Sequence, residues 1–501
     1  MKPSIPKGTR DFLPGEVYKR QYIFDTIRSV FEIYGYQPIE TPVMENLSTL
    51  TGKYGDEGDQ LLFKILNNGD YLSKADQSAL QDKDSKKLIS SIAKKGLRYD
   101  LTVPFARFVT MHQNDISFPF KRYQIQQVWR GDRPQKGRYQ EFYQCDVDVV
   151  GSDSLMYEAE LVKIYDEVFH KLGIKSTIKV NNRKVLFGIA EYCGCTELFI
   201  PFTIILDKLD KIGKENVIDQ LNEKGIDKQS VLNIFDCLDT TYNDCTDEHC
   251  EECGDQDIEY VKREFGDFAD EICLINCLLV KFRDKGCDTG IQGLNEIKEV
   301  ITYLKDTSFE GKLKFDISLA RGLNYYTGCI FEVVSNNDIG VGSIGGGGRY
   351  DDLTSSFGLK GVSGVGVSFG AARIYDVMEE LDLFPVSVQQ KLKFLLIAFD
   401  EDSHTYAFTQ LSKLRQAGIS ADLYPSPTKL KKQMKYANAI GVPNVILIGS
   451  DEVASGVLTI REMKSGDQSN KSIDELILDI QTTISVNDLY NSQKIDESDI
   501  Y

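Results

Sequence analysis

The spacing of apolar residues near the start of the chain predicts an amphipathic helix. Ile23, Ile27 and Val30 recur at helical spacing within an otherwise polar stretch. The predicted helix covers residues 16–34, and Gly35 stands at its natural stop. The next segment, QPIETPVME, contains two prolines, which favour an edge or terminal strand over a central strand.

Later in the chain the pattern changes to runs of β-forming residues. Two such runs, 121–129 and 142–150, flank a polar, basic segment and predict two antiparallel strands joined by a long loop. Two more runs, 313–319 and 328–335, precede a glycine tract and a predicted helix at about 371–381. These strands do not alternate one by one with helices. The pattern therefore favours the α+β class, with an antiparallel sheet flanked by helices, over a doubly wound sheet.

Changes in periodicity and composition predict the domain organisation. Helical patterns rich in Lys, Asp and Glu fill residues 186–308, which indicates a mostly helical insertion. After Pro385, strands and helices alternate as in a small α/β domain. The predicted domains are 1–185 and 309–385 for the two parts of the α+β domain, 186–308 for the insertion, 386–485 for the α/β domain and 486–501 for an acidic tail.

Composition restricts the classes of protein to consider. The 501 residues include 42% apolar and 27% charged side chains, which is typical of a globular protein of several domains and excludes a largely disordered chain. We find no long apolar run and no signal-peptide pattern, so we expect a cytoplasmic protein with no membrane span. The odd number of cysteines, eleven, favours reduced thiols over a disulfide framework.

The charge distribution restricts where polyanions can bind. A net charge of −18 repels them in bulk, so any contact with nucleic acid must come from local basic patches. One patch lies between residues 121 and 138, where six basic residues oppose one acid, and another lies between 391 and 435. In the first patch Arg130 and Arg138 can converge on a polyphosphate, and Phe142 offers a face for a base. A solvent-exposed basic hairpin is the alternative interpretation of this patch.

The glycine tract GVGSIGGGGRYDDL contains a formal match to the dinucleotide-binding pattern at Gly340, Gly342 and Gly345. That interpretation is disfavoured because no Asp or Glu lies near position 365, where the pattern needs one. The tract instead indicates close approach of the backbone to a ligand or a neighbouring strand, with a purely structural turn as the alternative.

A cysteine cluster raises the question of a metal site. Cys245, Cys250 and Cys253 surround His249 and have the side-chain types that bind zinc. The spacing is imperfect, and Cys237 or more distant cysteines would have to complete the shell. We therefore favour ordinary reduced cysteines and leave zinc as the alternative. None of the four histidines lies beside a nucleophile motif, so hydrolase chemistry is unsupported.

Five segments, in order along the chain, carry a recognisable set of motifs: YGYQPIETPVMEN, LRYDLTVPFAR at 97–107, VWRGDRPQKGRYQEFYQCDVDVVG, ARGLNYYTG at 320–328 and GVGVSFGAARI at 364–374. The first resembles motif 1 of class II aminoacyl-tRNA synthetases, the second their amino-acid-binding strand, the third motif 2 and the fifth motif 3. The fourth resembles the signature of the histidine enzymes, so the chain resembles specifically the histidyl-tRNA synthetase family. The resemblance extends over essentially the whole chain, including an α/β domain like the family's anticodon-binding module.

The resemblance implies an enzyme that activates histidine with ATP and transfers it to histidine tRNA. Arg130 would grip the α-phosphate and the histidine carboxylate, and Arg321 would approach the α-phosphate from the other side, so these two are the expected catalytic residues. Magnesium should accompany the outer phosphates. The expected ATP-binding residues are Arg130, Asp132, Arg138, Phe142 and Arg373.

The resemblance also implies a histidine pocket, an acceptor-stem contact and a homodimer. Asp148 and Tyr326 correspond to the groups that read the two imidazole nitrogens. The expected histidine-binding residues are Asp100, Thr102, Gln144, Asp148, Arg321, Tyr325, Tyr326 and Tyr350. The residues expected to meet the acceptor end of the tRNA are Arg133, Gln135 and Lys136.

Two positions depart from the family pattern. Ala372 stands where an acidic residue is usual, and Asn324 stands where the signature usually has Asp, but neither change removes an arginine expected to touch phosphate. The alternative function is that of a non-catalytic paralogue acting as a regulatory or RNA-binding subunit. Such relatives typically lack the anticodon module and lose the catalytic arginines, whereas this chain keeps both.

Overall fold

The computed structural model describes residues 2–241, 258–320, 325–337, 339–389 and 392–482. The chain divides into two compact units, 1–384 and 385–501. Within the described ranges no helix is long and apolar enough to cross a membrane. The predicted acidic tail lies outside the described residues.

The first unit is organised around an eight-stranded sheet in the order β1-β5-β6-β11-β10-β9-β7-β8, with a separate three-stranded sheet in the order β2-β4-β3. The strands are β1 (Gln37–Pro38), β2 (Met44–Asn46), β3 (Lys64–Ile65), β4 (Lys95–Leu97), β5 (Phe120–Trp129), β6 (Glu141–Val150), β7 (Ser176–Asn182), β8 (Lys312–Phe315), β9 (Cys329–Ser335), β10 (Gly345–Tyr350) and β11 (Gly364–Gly370).

The large sheet is antiparallel through its centre and parallel at both edges. The predicted pair of strands is confirmed, because β5 and β6 are antiparallel over their whole length. The two parallel pairs, β1 with β5 and β7 with β8, make the sheet mixed. A long stretch of chain separates the partners of each parallel pair, and parallel strands need such a long crossover. The predicted α+β class and the antiparallel centre of the sheet are confirmed, and the parallel pairs at the two edges were not predicted.

One face of the large sheet is covered by helices. The helices of the first unit are α1 (Pro14–Ile33), α2 (Leu47–Leu50), α3 (Gly55–Leu61), α4 (Gln77–Gln81), α5 (Ser85–Ile92), α6 (Thr102–Met111), α7 (Met156–Lys171), α8 (Arg183–Tyr192), α9 (Phe199–Leu206), α10 (Leu209–Glu223), α11 (Lys228–Leu238), α12 (Ile258–Phe265), α13 (Ala269–Lys285), α14 (Asp288–Leu304) and α15 (Ala371–Glu380). Apolar residues of α1, α7 and α15 form one core with alternate residues of β6 and β11. The helices predicted at 16–34 and at about 371–381 are confirmed as α1 and α15. From α8 to α14 the described chain is helical, and the predicted domain boundaries stay predictions.

The segment 97–107 is not a strand, contrary to the sequence-based expectation. Strand β4 ends at Leu97, and α6 begins at Thr102. Pro104 lies in the first turn of α6, where a backbone N–H has no intrahelical acceptor and its absence costs nothing. The Asp100 carboxylate accepts a hydrogen bond from the Val103 N–H at 3.1 Å, so it caps the helix start.

The second unit has a five-stranded sheet in the order β13-β12-β14-β15-β16, parallel among its first three strands and antiparallel in the last two. The predicted alternation of strand and helix is confirmed, and the final hairpin was not predicted. The elements are β12 (Phe394–Ala398), α16 (Glu401–Gln416), β13 (Ala421–Leu423), α17 (Leu430–Ala439), β14 (Asn444–Ile448), α18 (Ser450–Ser455), β15 (Leu458–Glu462) and β16 (Gln468–Lys471).

Candidate active site

The face of the large sheet opposite α1 and α7 carries a buried band of polar side chains. Alternate residues of a strand share a face, so the polar residues of β5 and β6 meet across the strand pair. The facing pairs are Arg122 with Asp148, Gln124 with Asp146 and Gln126 with Gln144. All but Gln126 are less than one-tenth exposed. A buried band of this kind needs internal hydrogen-bond partners or a polar ligand.

Glycines on β10 and β11 make room for the side chains and backbone that pack against them. A Cβ on Gly366 would lie 2.0 Å from Asp148 Oδ1, and a Cβ on Gly348 would lie 2.8 Å from a ring carbon of Tyr326. The strands also approach closely, since a Cβ on Gly347 would lie 2.2 Å from the carbonyl oxygen of Gly366. Close backbone approach in the glycine tract is therefore confirmed, and the turn interpretation is wrong for residues 345–350, which form a central strand.

Asp148 lies at one end of the band with several expected histidine-binding residues. The Tyr350 hydroxyl donates to Asp148 Oδ1 at 2.6 Å, and Arg122 Nη2 lies 2.8 Å from Oδ2. Burial raises the pKa of Asp148, while Arg122 and the Tyr350 hydroxyl oppose that rise. Burial and the nearby Asp148 raise the pKa of Tyr326, so its hydroxyl keeps its proton as a donor.

Asp100 is a second buried carboxylate of the site, and the Tyr325 ring lies between it and the tyrosines around Asp148. Asp100 accepts hydrogen bonds from the hydroxyls of Tyr54 at 2.9 Å and Tyr325 at 3.4 Å. The Tyr325 ring centroid lies 4.9 Å from that of Tyr326 and 6.2 Å from that of Tyr350. The Tyr325 hydroxyl also interacts with the Thr102 side chain. Burial raises the pKa of Asp100, an effect opposed by the Val103 N–H and by the charge of Arg130.

Arg130 lies just after β5, at the other end of the polar band. Its Nη2 donates to Gln144 Oε1 at 3.2 Å, and its Nε donates to the carbonyl oxygen of Tyr99 at 3.0 Å. The guanidinium stands 4.4 Å from the Tyr99 ring centroid and 5.3 Å from that of Phe142. Arg130, Gln144 and Phe142 are thus brought together, with the guanidinium oriented by two hydrogen bonds.

The loop between β5 and β6 contains the remaining arginines expected to bind ATP. Arg138 Nη2 lies 2.6 Å from Oδ1 of the buried Asp132. Arg373, at the start of α15, donates from Nε to the Gly137 carbonyl oxygen at 2.9 Å and from Nη1 to that of Ser343 at 2.6 Å. Arg373 is therefore held against the loop that carries Arg138.

The residues expected to meet tRNA are exposed in this loop. Arg133, Gln135 and Lys136 are all exposed, and a short antiparallel bridge joins Gln135 to Arg138. Lys136 is not free, because its ammonium lies 2.8 Å from a carboxylate oxygen of Glu380.

Two residues of the site were missed by sequence reasoning. Arg122 was counted only as part of a basic patch, yet it is fully buried beside Asp148. The alternation of polar residues along KRYQIQQVWR was the available signal. Tyr54, the partner of Asp100, lies in a segment with no pattern that points to the site.

Some expected residues lie outside the described chain. Arg321 and Asn324 are among them, so the role of Arg321 stays a prediction. Cys245, Cys250 and Cys253 also lie outside it, whereas Cys237 is a buried free thiol. Among the described residues no group of three or more metal-ligating side chains could hold an ion. Ala372 lines a cleft on the opposite side of the sheet with Arg20 and Tyr143.

Comparison with known proteins identifies the family. A family model described as histidyl-tRNA synthetase matches residues 8–200 and 283–374. The chain is 52% identical over 471 residues to a histidine–tRNA ligase of Christiangramia forsetii, covering 94% of this chain and 97% of the relative. The chain belongs to the histidyl-tRNA synthetase family.

Other comparisons agree with this family assignment. A histidine–tRNA ligase of Phocaeicola vulgatus is 48% identical, with 95% of this chain and 98% of the relative covered. The crystal structure of histidyl-tRNA synthetase from Nostoc sp. PCC 7120 has a TM-score of 0.75 at 28% identity, covering 96% of this chain and 100% of that chain. A second family model, described as an anticodon binding domain, matches residues 386–483. The second unit of this synthetase therefore belongs to the anticodon-binding domain family.

Proposed function

We propose that this histidyl-tRNA synthetase activates histidine with ATP on the polar face of its large sheet and then transfers it to histidine tRNA. In the first step a histidine carboxylate oxygen attacks the α-phosphorus of ATP, and pyrophosphate leaves. In the second step a ribose hydroxyl of the terminal adenosine attacks the adenylate carbonyl, its proton is released and AMP leaves. Both steps depend on charge at phosphate oxygens, so catalysis is mainly positioning and electrostatics.

The observation that carries the proposal is the arrangement of polar groups along β6. Gln144, which contacts Arg130, and Asp148, which contacts Tyr350, lie on one face of the strand. Four residues of strand separate their Cα atoms by about 13 Å. A histidine placed between them can direct its α-amino and carboxylate groups toward Gln144 and Arg130, and its ring toward Asp148.

The groups around Asp148 suit a ring with two nitrogens. A carboxylate oxygen can accept from one imidazole N–H, and a tyrosine hydroxyl such as that of Tyr326 can donate to the other nitrogen. An analogue that lacks one nitrogen would leave a buried polar group unpaired. Sites of this type reject such analogues by a factor of about 10⁴ or more in kcat/KM. Asp100 is the anionic group proposed to attract the α-amino group, with Thr102 and Gln144 as neutral acceptors.

For ATP, we propose that Arg130 contacts the α-phosphate, that Arg138 and Arg373 contact the outer phosphates, and that Phe142 stacks on adenine. The guanidinium fork fits phosphate oxygens bidentately. Magnesium typically binds through substrate phosphates and one or two carboxylates, and Asp132 is a buried carboxylate beside Arg138 that fits this requirement. The ion would neutralise charge on the outer phosphates.

For tRNA, we propose contacts at two places. Arg133, Gln135 and Lys136 are exposed in the β5–β6 loop, where they could meet the acceptor end. The anticodon-binding domain carries a basic helix, α17, whose lysines could meet the anticodon stem. We further propose that the enzyme acts as a homodimer through its motif 1 segment and works in the cytoplasm.

Pyrophosphate exchange tests the proposal directly. We expect ATP–pyrophosphate exchange that requires magnesium and histidine when each of the twenty amino acids is offered in turn. Exchange with another amino acid would refute the proposed specificity. Absence of exchange with all twenty would favour the non-catalytic paralogue, which the relatives compared above do not support.

Removal of the second unit separates the two steps. A chain ending at Phe384 keeps the residues proposed for adenylate formation, so it should retain exchange and lose most tRNA charging. Fluorescence of Trp129, the single tryptophan of the chain, reports whether the truncated protein is folded. A folded truncated protein that charges tRNA as well as the full chain would contradict the role proposed for the second unit.

A further inference from the structure

We propose that Arg122 is a positioning residue for histidine recognition, which keeps Asp148 ionised and oriented to accept a hydrogen bond from the imidazole. This inference rests on the proposed function of the site and adds Arg122, which lies outside the sequence motifs and was counted only as one member of a basic patch. Arg122 would act only through Asp148, because the residue is fully buried beside Asp148 within the band.

The geometry fixes Arg122 beside Asp148. The two residues face each other across the β5–β6 pair, and Nη2 lies 2.8 Å from Asp148 Oδ2. The guanidinium also stands 4.2 Å from the centroid of the Phe105 ring, and Nη1 lies 3.4 Å from Gln124 Oε1. A planar guanidinium held by a ring, an amide and a carboxylate has little freedom to leave its position.

The surroundings of Asp148 explain why it needs a cation. The groups that face it are Asp146 on its own strand, Arg122 on β5, Tyr350 on β10, and Tyr326 in the segment before β9. Two buried carboxylates so close together repel each other, and burial favours their neutral forms. A protonated Asp148 could donate where the pocket needs an acceptor. The positive charge of Arg122 opposes that protonation.

The orientation of the carboxylate follows from the same contacts. Oδ1 accepts a hydrogen bond from the Tyr350 hydroxyl. Oδ2 makes the ion contact with Arg122 and has no hydrogen-bond donor among the described residues. A carboxylate has about four acceptor sites, so these two contacts leave capacity for a further donor from a ligand. Gly366 makes room for the carboxylate itself, since a Cβ there would lie 2.0 Å from Oδ1, so any side chain at 366 would displace Asp148.

The test compares Arg122→Met with a matched control on the same strand. Lys121→Met also removes one cation from an ion pair of β5, but Lys121 pairs with Glu160 at 2.7 Å on the opposite face. Steady-state exchange is measured for the wild type and both variants at several pH values between 6 and 9. The KM for histidine, the KM for ATP and the pH dependence of kcat/KM for histidine are recorded.

We expect Arg122→Met to raise the KM for histidine by about tenfold or more, because a buried Asp148 without its cation is protonated more readily and then loses its role as an acceptor. The KM for ATP should stay unchanged. The acidic limb of kcat/KM for histidine should move to higher pH, because Asp148 then ionises only at higher pH. Arg122→Lys keeps the positive charge but lacks the planar guanidinium. It should therefore restore the wild-type pH profile and recover the wild-type histidine KM only in part.

The outcomes separate this inference from the proposed function. A wild type without histidine-dependent exchange refutes the proposed function. An active wild type whose histidine KM and pH profile are unchanged in Arg122→Met, or changed equally in Lys121→Met, refutes the role of Arg122.

A double variant covers the case in which Arg122→Met does not fold. Arg122→Met with Asp148→Asn removes both charges of the pair, and such neutral replacements are often tolerated. If Arg122 acts through Asp148, the double variant should have the same histidine KM as Asp148→Asn alone. A further increase in KM in the double variant would show that Arg122 acts independently and would overturn the inference.

Discussion

The two faces of the β5–β6 strand pair contain opposite chemistry. On one face Tyr123, Cys145 and Val147 are buried in a continuous apolar core with α1 and α7. On the other face Arg122 and Asp148 are equally buried but meet charged and polar neighbours. Burial alone therefore does not distinguish the stabilising face from the functional face.

The difference shows how one hairpin can serve both stability and recognition. On the apolar face, each apolar side chain removed from water stabilises the folded state. The polar face must keep its carboxylates satisfied, and it does so with a cation, amides and tyrosine hydroxyls supplied by neighbouring strands. Because side chains alternate along a strand, adjacent residues such as Ser368 and Phe369 belong to different faces. Substitutions at adjacent positions should therefore have different consequences.

The largest effect on stability is expected at Phe369 on the apolar face. Its ring lies 4.7 Å from Tyr165 and 5.5 Å from Phe169, centroid to centroid, and the residue is fully buried. Phe369→Ala should lower the free energy of unfolding by about 3–5 kcal/mol because it leaves a cavity in the core. Urea unfolding followed by Trp129 fluorescence measures this loss.

Ser368 is the matched position on the polar face. Gln144 donates to the Ser368 hydroxyl at 2.9 Å, so Ser368→Ala should affect the histidine KM more than the stability. The comparison of the two faces would be contradicted if Ser368→Ala destabilised the protein more than Phe369→Ala.

Arg130→Ala should show the largest effect on activity. Removal of a preoriented donor for developing charge typically costs about 10²- to 10³-fold in turnover, or ~2.7–4 kcal/mol. We expect a loss of this size in ATP–pyrophosphate exchange with an unchanged unfolding transition. Arg28→Ala is a control on α1, where Arg28 forms an ion pair with Asp25 at 2.6 Å. Equal losses in the two variants would contradict a specific role for Arg130.

The titration of Asp146 should make stability depend on pH. Burial raises the pKa of Asp146 to about 7, against the opposing charge of Arg122. Between the unfolded value of about 3.9 and this folded value, the folded state binds a proton that the unfolded state has lost. The free energy of unfolding should therefore decrease as the pH rises toward 7.

Asp146→Asn should remove this dependence. At pH 8 the variant should be more stable than the wild type by about 1 kcal/mol or more, since one pKa unit corresponds to ~1.4 kcal/mol. Urea unfolding at pH 5, 6, 7 and 8 measures the difference. If the two proteins show parallel pH profiles, Asp146 does not titrate in this range.

Periodicity explains why the sequence predicted some parts and not others. Helix α1, strands β5 and β6, and the alternation in the second unit follow from local patterns, and the structure confirms them. Strand β10 could not be predicted from GGGGRY, because glycine is depleted in strands and its place here depends on the side chains that neighbouring strands pack against it. Segment 97–107 was assigned by resemblance as a strand, although Pro104 suits the first turn of a helix.

The same reasoning applies to the site. Residues within contiguous motifs, such as Arg130 and Gln144, could be named from the sequence because the motif keeps them close along the chain. The contact between Tyr54 and Asp100 joins residues from separate elements, and only tertiary packing brings them together. The ion pair between Arg122 and Asp148 depends on the register of β5 against β6, which a one-residue slip would abolish.

The smallest effect is expected in the loop between β5 and β6, where Lys136 contacts Glu380 at the end of α15. Both side chains are about half exposed, at 55% and 50%, so solvent and salt screen their attraction. Glu380→Gln should leave histidine-dependent exchange unchanged and release Lys136 toward tRNA phosphates. We expect the KM for tRNA to fall by no more than about fivefold, because exposed ion pairs hold their partners weakly.

Salt dependence provides the decisive control for this last prediction. If Lys136 gains a phosphate contact, the advantage of Glu380→Gln should shrink as the salt concentration rises, because phosphate contacts release counterions. Adding Lys136→Ala to Glu380→Gln should abolish the advantage at every salt concentration, since the two residues act through one contact. An advantage that survives in this double variant would assign the effect to a general loss of negative charge and remove Lys136 from the proposed tRNA surface.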